Sequence, residues 1–212
     1  MSPTKPDAVL DDAATDDDVL VDIDDLEVHY AMRGGALARI LGRDVGVVKA
    51  VDGVNLRLRR GEVVGVVGES GSGKTTLGRA LLGLAPITGG HIRIGDADLA
   101  TMSERTLRSM RKRLQMVFQD PHAALNPSMT IEESVGDPLR IHALASGGAD
   151  LRAKVSAALE RVGLSPVERF LPKYPGDLSG GQKQRAVIAR AIILGPELLV
   201  ADEPISMLDM SV

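Results

Sequence analysis

Apolar and polar positions alternate through Leu26-Glu27-Val28-His29-Tyr30, the period of a strand with one face buried. A long excursion, Ala31 to Lys49 with Gly34, Gly35, Gly42 and Gly46, separates it from a second alternating run, Val54-Asn55-Leu56-Arg57-Leu58. A turn at Arg59-Arg60-Gly61 leads into Glu62-Val63-Val64-Gly65-Val66-Val67, a near-continuous apolar run that predicts a strand covered on both faces. Helical spacing follows at Thr75–Leu84, Glu104–Arg113, Leu151–Val162 and Gln182–Leu194. A second buried strand is predicted at Leu198-Leu199-Val200-Ala201, ending on two acids. Buried strands alternating with helices predict an α/β fold with a mainly parallel sheet. Residues 1–25 are rich in aspartate (Asp7, Asp11, Asp12, Asp16, Asp17, Asp18) and offer little to bury, so this segment is predicted to be a disordered acidic tail, with the folded domain spanning 26–212.

Composition narrows the chemistry. The 212 residues contain no cysteine, which excludes disulfides, thiolate metal sites and a thiol nucleophile. A net charge of −4 argues against nucleic acid as a partner held over the whole surface. With only two Tyr and two Phe, the core must be aliphatic. No apolar run reaches the ~20 residues of a membrane-spanning helix, and Met1-Ser2-Pro3-Thr4-Lys5-Pro6 lacks the apolar stretch of a secretory signal. A soluble chain is expected.

The densest chemical signal is Gly68-Glu69-Ser70-Gly71-Ser72-Gly73-Lys74-Thr75, which fits G-x-x-x-x-G-K-[ST] between a predicted strand and a predicted helix. Gly68, Ser70, Gly71, Ser72 and Gly73 let backbone N–H groups converge on phosphate oxygens, and the helix N-terminus beginning at Lys74, Thr75 and Thr76 adds partial positive charge. Lys74 is expected to reach the β- and γ-phosphates and Thr75 to ligate Mg²⁺. Such a site needs an acid at the end of a neighbouring strand. Asp202 is assigned to the metal's shell, and Glu203 to polarising the attacking water.

These features leave kinases, GTPases, helicases and transport motors open. Leu178-Ser179-Gly180-Gly181-Gln182-Lys183-Gln184-Arg185 separates them, because Ser-Gly-Gly before a helical run makes a second anion-binding helix start. Here the chain resembles the ATP-binding subunit of ABC transporters. Phe118-Gln119-Asp120-Pro121 looks like the family's Q-loop, Asp202-Glu203-Pro204 like the end of Walker B, and Ser206-Met207-Leu208-Asp209 like the D-loop. Tyr30 is placed like the aromatic that stacks on adenine; packing in the core is the equally weighted alternative. Within the family the likeness is greatest to oligopeptide and dipeptide importers, carried by Ala50-Val51-Asp52-Gly53-Val54, Gly68 to Arg79, and Gln115 to Pro121 with Leu125-Asn126-Pro127 behind.

The resemblance implies a P-loop NTPase core with an inserted helical subdomain at about 122–178 that grips a helix of the membrane subunits. It also implies a head-to-tail pair of ATP-binding domains. Ser179, Gly180, Gly181 and Gln182 would serve the partner's ATP, Gln119 would sense the γ-phosphate and Mg²⁺, and Asp209 would line the dimer seam. Two permease subunits and an extracytoplasmic solute-binding protein complete the implied assembly, at the cytoplasmic face of the plasma membrane. The pattern departs from the family after the D-loop. His29, His91, His122 and His142 all precede it, and none matches the family's γ-phosphate histidine. Met207 and Met210 replace smaller D-loop residues. The expectation is therefore a domain whose C-terminal part is missing. A soluble non-transport ABC-type ATPase and a nucleotide-binding fragment without catalytic competence stand as the alternatives.

Overall fold

The chain folds around two aliphatic clusters, one beneath an antiparallel sheet and one inside a group of helices. The computed structural model describes residues 18–32, 46–118 and 120–203. Strands β1 (Val19–Ala31), β2 (Val47–Arg59), β3 (Gly89–Ile94) and β4 (Ala97–Asp98) form a sheet in the order β2-β1-β3-β4, antiparallel throughout. Strands β5 (Leu114–Val117) and β6 (Leu198–Ala201) pair in parallel, Leu114 opposite Leu198 and Val117 opposite Ala201. The parallel pairing expected of the fold thus sits in this pair, and the larger sheet is antiparallel.

Strand β1 begins at Val19, ahead of the tail boundary drawn at Leu26. Leu20, Val21 and Ile23 are buried, with Asp22, Asp24 and Asp25 turned outward. Asp25 adopts φ 48, and the pairing with β2 slips between Ile23 and Leu26. That bulge moves the buried positions from odd to even numbers, so a single alternation cannot be read across it. Aspartate tolerates the left-handed conformation better than most residues, and the Asp25 N–H finds Asn55 Oδ1 at 2.9 Å.

The run Glu62 to Val67 is not a strand. Val63 and Val67 are 95% and 94% exposed. Its composition suits a buried strand, but among the described residues no strand lies beside it to take its backbone hydrogen bonds. Strand β6 is likewise only partly covered: Leu198 is buried and Leu199 is 41% exposed, because β5 is its only neighbour among the described residues.

Helices α1 (Lys74–Leu81) and α2 (Glu104–Met110) pack with the sheets through Leu77, Ala80, Leu107 and Met110. The second cluster joins α3 (Pro121–Ala124), α4 (Ile131–Ile141), α5 (Gly148–Arg161) and α6 (Gly180–Ile192). Ile131, Val135 and Leu139 of α4 recur every four residues and meet Val155 and Leu159 of α5 and Val187 of α6. This core takes in α6 as well as α3, α4 and α5. The Thr130 side chain accepts from the Glu133 N–H while Glu133 reaches back to the Thr130 N–H, which fixes the start of α4 and holds the Glu133 carboxyl below its ordinary range. At the other end of the β5–β6 pair, Arg113 donates from Nη2 to Glu197 at 2.8 Å and ties the strand starts together.

Candidate functional site

The site assembles at the C-terminal ends of β5 and β6. Glu203 and Asp202 follow β6 directly, and the Asp202 N–H donates to Val117 O at 3.0 Å, extending the parallel ladder by one rung. Open α/β folds place ligands at this end of their parallel strands. Helix α1 runs beside β6 because Gly78 has no side chain; a Cβ there would lie 3.0 Å from Val200 Cγ1. This close approach puts the first turn of α1 next to Asp202. The Thr75 hydroxyl donates to Asp202 Oδ1 at 3.2 Å, joining residues 127 positions apart.

The loop leading to α1 is shaped by two glycines. Gly73 caps the helix with φ 93, and a Cβ on it would fall 2.1 Å from Ala50 O, so only glycine lets β2 run beneath the loop. Gly71 has φ 82 in open space. Ser72 N donates to Glu69 O at 3.2 Å and closes the turn. The Lys74 ammonium lies along the loop, donating to Gly68 O at 2.8 Å and Glu69 O at 2.7 Å. Gly68, Ser70, Gly71 and Ser72 are exposed, with Thr75 and Thr76 half-buried in the first turn of α1. The result is an accessible concave turn with one cation and a helix N-terminus, suited to bind phosphate.

Glu203 has φ 47, a left-handed conformation that is uncommon for glutamate and turns the chain sharply after Asp202. Asp202 is half-buried and Glu203 exposed, so the two carboxylates leave the strand into different surroundings.

Tyr30 is 40% exposed and pairs with Val48, two positions along β2 from the Ala50 carbonyl under Gly73. Its ring is not part of either buried cluster and stands on the strand pair that borders the cradle. Nearby, on the same two strands, the Asp52 carboxyl is held below its ordinary range by hydrogen bonds from Lys49 and His29.

The Ser179–Gln182 stretch starts α6. Ser179 Oγ accepts from Gln182 N at 3.3 Å and Gln182 Oε1 accepts from Ser179 N at 3.1 Å, so the two side chains cap each other. Gly180 and Gly181 form the first turn between them. Among the described residues no hydrogen bond links this turn to the phosphate loop. It is anchored instead in the helical core through Leu178 and Val187. Gln119 and Asp209 lie outside the described residues, as does the rest of Ser206–Asp209.

Two contributors were not read from the sequence. Gly78 sets the distance from helix to strand, and Ala50 forms the floor of the loop. The glycine in the α1 pattern is the one sequence signal for the first, and nothing local announces the second. A cleft of about 500 Å³ also opens beside the site, between β5, α4 and α6, with Phe118 and Asp120 at its edge.

A glycine-rich turn at 68–73 beside the Thr75–Asp202 contact, with a capped Ser-Gly-Gly-Gln helix start held in a separate helical core, defines an ATP-binding cassette, and the sequence pattern of the ABC transporter family matches residues 51–206. The chain belongs to that family. It is 45% identical over 194 residues to the oligopeptide transport ATP-binding protein OppF of Escherichia coli (strain K12), covering 92% of this chain and 57% of the relative. It is 44% identical over 200 residues to the oligopeptide transport ATP-binding protein AppF of Bacillus subtilis (strain 168), covering 94% of this chain and 59% of the relative. The chain thus spans somewhat more than half the length of these curated relatives. Among solved structures, the dimeric ATP-binding cassette MJ0796 in a post-hydrolysis state with ADP and Pi superposes with a TM-score of 0.76 at 31% identity, covering 90% of this chain and 76% of that one. No helix among the described residues is long and apolar enough to cross a membrane.

Proposed function

We propose that this chain binds and hydrolyses Mg-ATP to energise a membrane importer of oligopeptides or dipeptides. The observation that carries this reading is the 3.2 Å contact between Thr75 Oγ1 and Asp202 Oδ1, which brings a hydroxyl and a carboxylate together at the mouth of the phosphate loop. Both are hard oxygen donors of the kind Mg²⁺ selects, and Gly73 lets the adjoining loop lie against the Ala50 carbonyl of β2. Thr75 and Asp202 would hold Mg²⁺, which would supply positive charge to offset that of the phosphates.

In this reading the residues Gly68 to Gly73 orient the triphosphate through backbone N–H groups. Lys74 exchanges the carbonyls of Gly68 and Glu69 for the β- and γ-phosphates, so its charge is never left without acceptors. Thr75 and Asp202 hold the metal, with Gln119 as a further ligand and γ-phosphate sensor. Glu203 takes a proton from the attacking water. Tyr30 stacks on the adenine. Gly180 and Gly181, with Ser179 and Gln182, contact the γ-phosphate held by a second ATP-binding domain, and Asp209 lines the seam between the two. A γ-phosphate gripped from both sides links nucleotide binding to closure of the pair, and its loss on hydrolysis reverses it. The cleft between β5, α4 and α6 seats a helix of a permease subunit, which places the chain at the cytoplasmic face of the membrane. The names of the two oligopeptide transport relatives support the substrate class.

Titration with a fluorescent ATP analogue tests the cradle. Lys74→Ala should abolish binding; unchanged affinity would falsify the assignment. Glu203→Gln should bind as the parent does while losing phosphate release. Equal turnover in the two proteins would remove Glu203 from the mechanism.

A further inference from the structure

Arg190 lies in the last turn of α6, the helix that begins with the Ser179–Gln182 cap. Its guanidinium makes two contacts in different directions. Nη1 donates to Ala124 O, the final residue of α3, at 2.6 Å, and Nη2 donates to Asp137 Oδ2 on α4 at 3.5 Å. Helix α3 begins at Pro121, directly after Asp120 at the edge of the cleft, so one side chain joins the segment beyond β5, the helix walling the cleft, and the helix that starts at Ser179–Gln182.

Helix α4 has a soft point beside this junction. Pro138 follows Asp137 and has no N–H, so the helical bond to the Ser134 carbonyl is missing. The Ser134 hydroxyl is buried without a partner there. Arg140 Nη1 donates to Glu133 O at 3.3 Å, partly tying the turn across the gap. The part of α4 that lines the cleft, Pro138 and Ile141, is therefore joined to the rest of its helix less firmly than an uninterrupted helix would be. Asp137–Arg190 adds a polar tie to α6 beside the packing of Leu139 in the helical core.

We propose that Arg190 is a positioning residue, a clasp that carries displacement of the cleft wall to the start of α6 and so sets where Gly180 and Gly181 are presented. The inference rests on the cleft being the seat of a membrane-subunit helix. A planar guanidinium suits the role because its two Nη groups reach a carbonyl and a carboxylate at once. Arg190 itself lines the cleft and lies outside the phosphate loop. It acts through the two helices it joins.

Side-chain and backbone ¹⁵N NMR on the whole chain tests the clasp. In the parent, the Arg190 guanidinium, assigned by its loss in Arg190→Lys, should give resolved Nη signals from hindered rotation. Asp137→Asn should collapse them and displace the amide resonances of Gly180 and Gly181, leaving those of Gly71 and Gly73 in place. Arg190→Lys, which keeps the charge facing Asp137, should displace Gly180 and Gly181 by less than Asp137→Asn does. Shifts confined to the immediate neighbours of residues 137 and 190 would overturn the proposal, because a local brace predicts that pattern. A Mg-ATP titration of the same samples separates the two readings. Failure of the parent to bind would count against the cradle, while the Gly180 and Gly181 resonances judge the clasp independently.

Discussion

Replacing Gly73 with alanine isolates the contribution of cradle shape. The substitution adds one methyl group, but at φ 93 and 2.1 Å from Ala50 O. Holding an L-residue in the left-handed region costs about 1–2 kcal/mol. For a domain of this size that lowers the melting temperature by about 2–8 °C. The overlap adds more. A carbon and an oxygen not bonded to each other sit at roughly 3.3 Å or beyond, so the loop must lift off β2 by about 1 Å. A displacement of that size takes N–H donors out of line with the phosphate oxygens. Losing two charge-assisted hydrogen bonds, at about 1.5–3 kcal/mol each, weakens ATP binding by about 10²–10⁴-fold. Gly71→Ala is the matched control, since it shares a positive φ of 82 but has nothing within 4 Å. It should show the melting loss that comes from the backbone conformation alone, without the further loss from the overlap with Ala50. Differential scanning fluorimetry reads the difference. If Gly73→Ala melted no lower than Gly71→Ala, the contact with Ala50 would have no part in shaping the loop.

Two further substitutions probe the fold away from the cradle. Leu159→Ala removes a fully buried side chain from the helical core and should cost about 2–5 kcal/mol in urea unfolding, with ATP affinity nearly intact. Glu197→Gln should destabilise the chain in a pH-dependent way. The hydrogen bond from Arg113 holds the Glu197 carboxyl below its ordinary value, with the charges of Arg113 and Arg60 adding to the effect and burial opposing it. A depressed acid stabilises the fold at neutral pH and loses that contribution as pH falls through its folded-state value. The melting temperatures of parent and variant should therefore differ at pH 7 and converge as pH drops below the ordinary glutamate value of 4.5.

The phosphate loop, Asp202 and the α6 start were legible because their chemistry is local. Each is a short contiguous pattern whose glycines, serines and acids have few other uses in combination. The helices of the second core were legible in outline for the same reason, through spacing at Leu151, Val155 and Leu159. The start of β1 was hidden by the bulge at Asp25, which splits one long strand into two phases of alternation. The run Val63 to Val67 was misread because burial of a strand depends on its neighbours, which a local pattern does not specify. Tyr30 could be resolved only by structure, since an aromatic on an alternating strand fits either face equally well.

Those unpaired valines also bear on how the purified polypeptide behaves. Val63, Val64, Val66 and Val67 present an adhesive, proline-free stretch in which Glu62 is the one charge, and such stretches template intermolecular cross-β pairing when crowded. Much of the negative charge behind the net −4 lies in the aspartate-rich residues 1–25 rather than in this stretch. Glu62 to Val67 is thus an association-prone stretch that leads straight into the nucleotide loop.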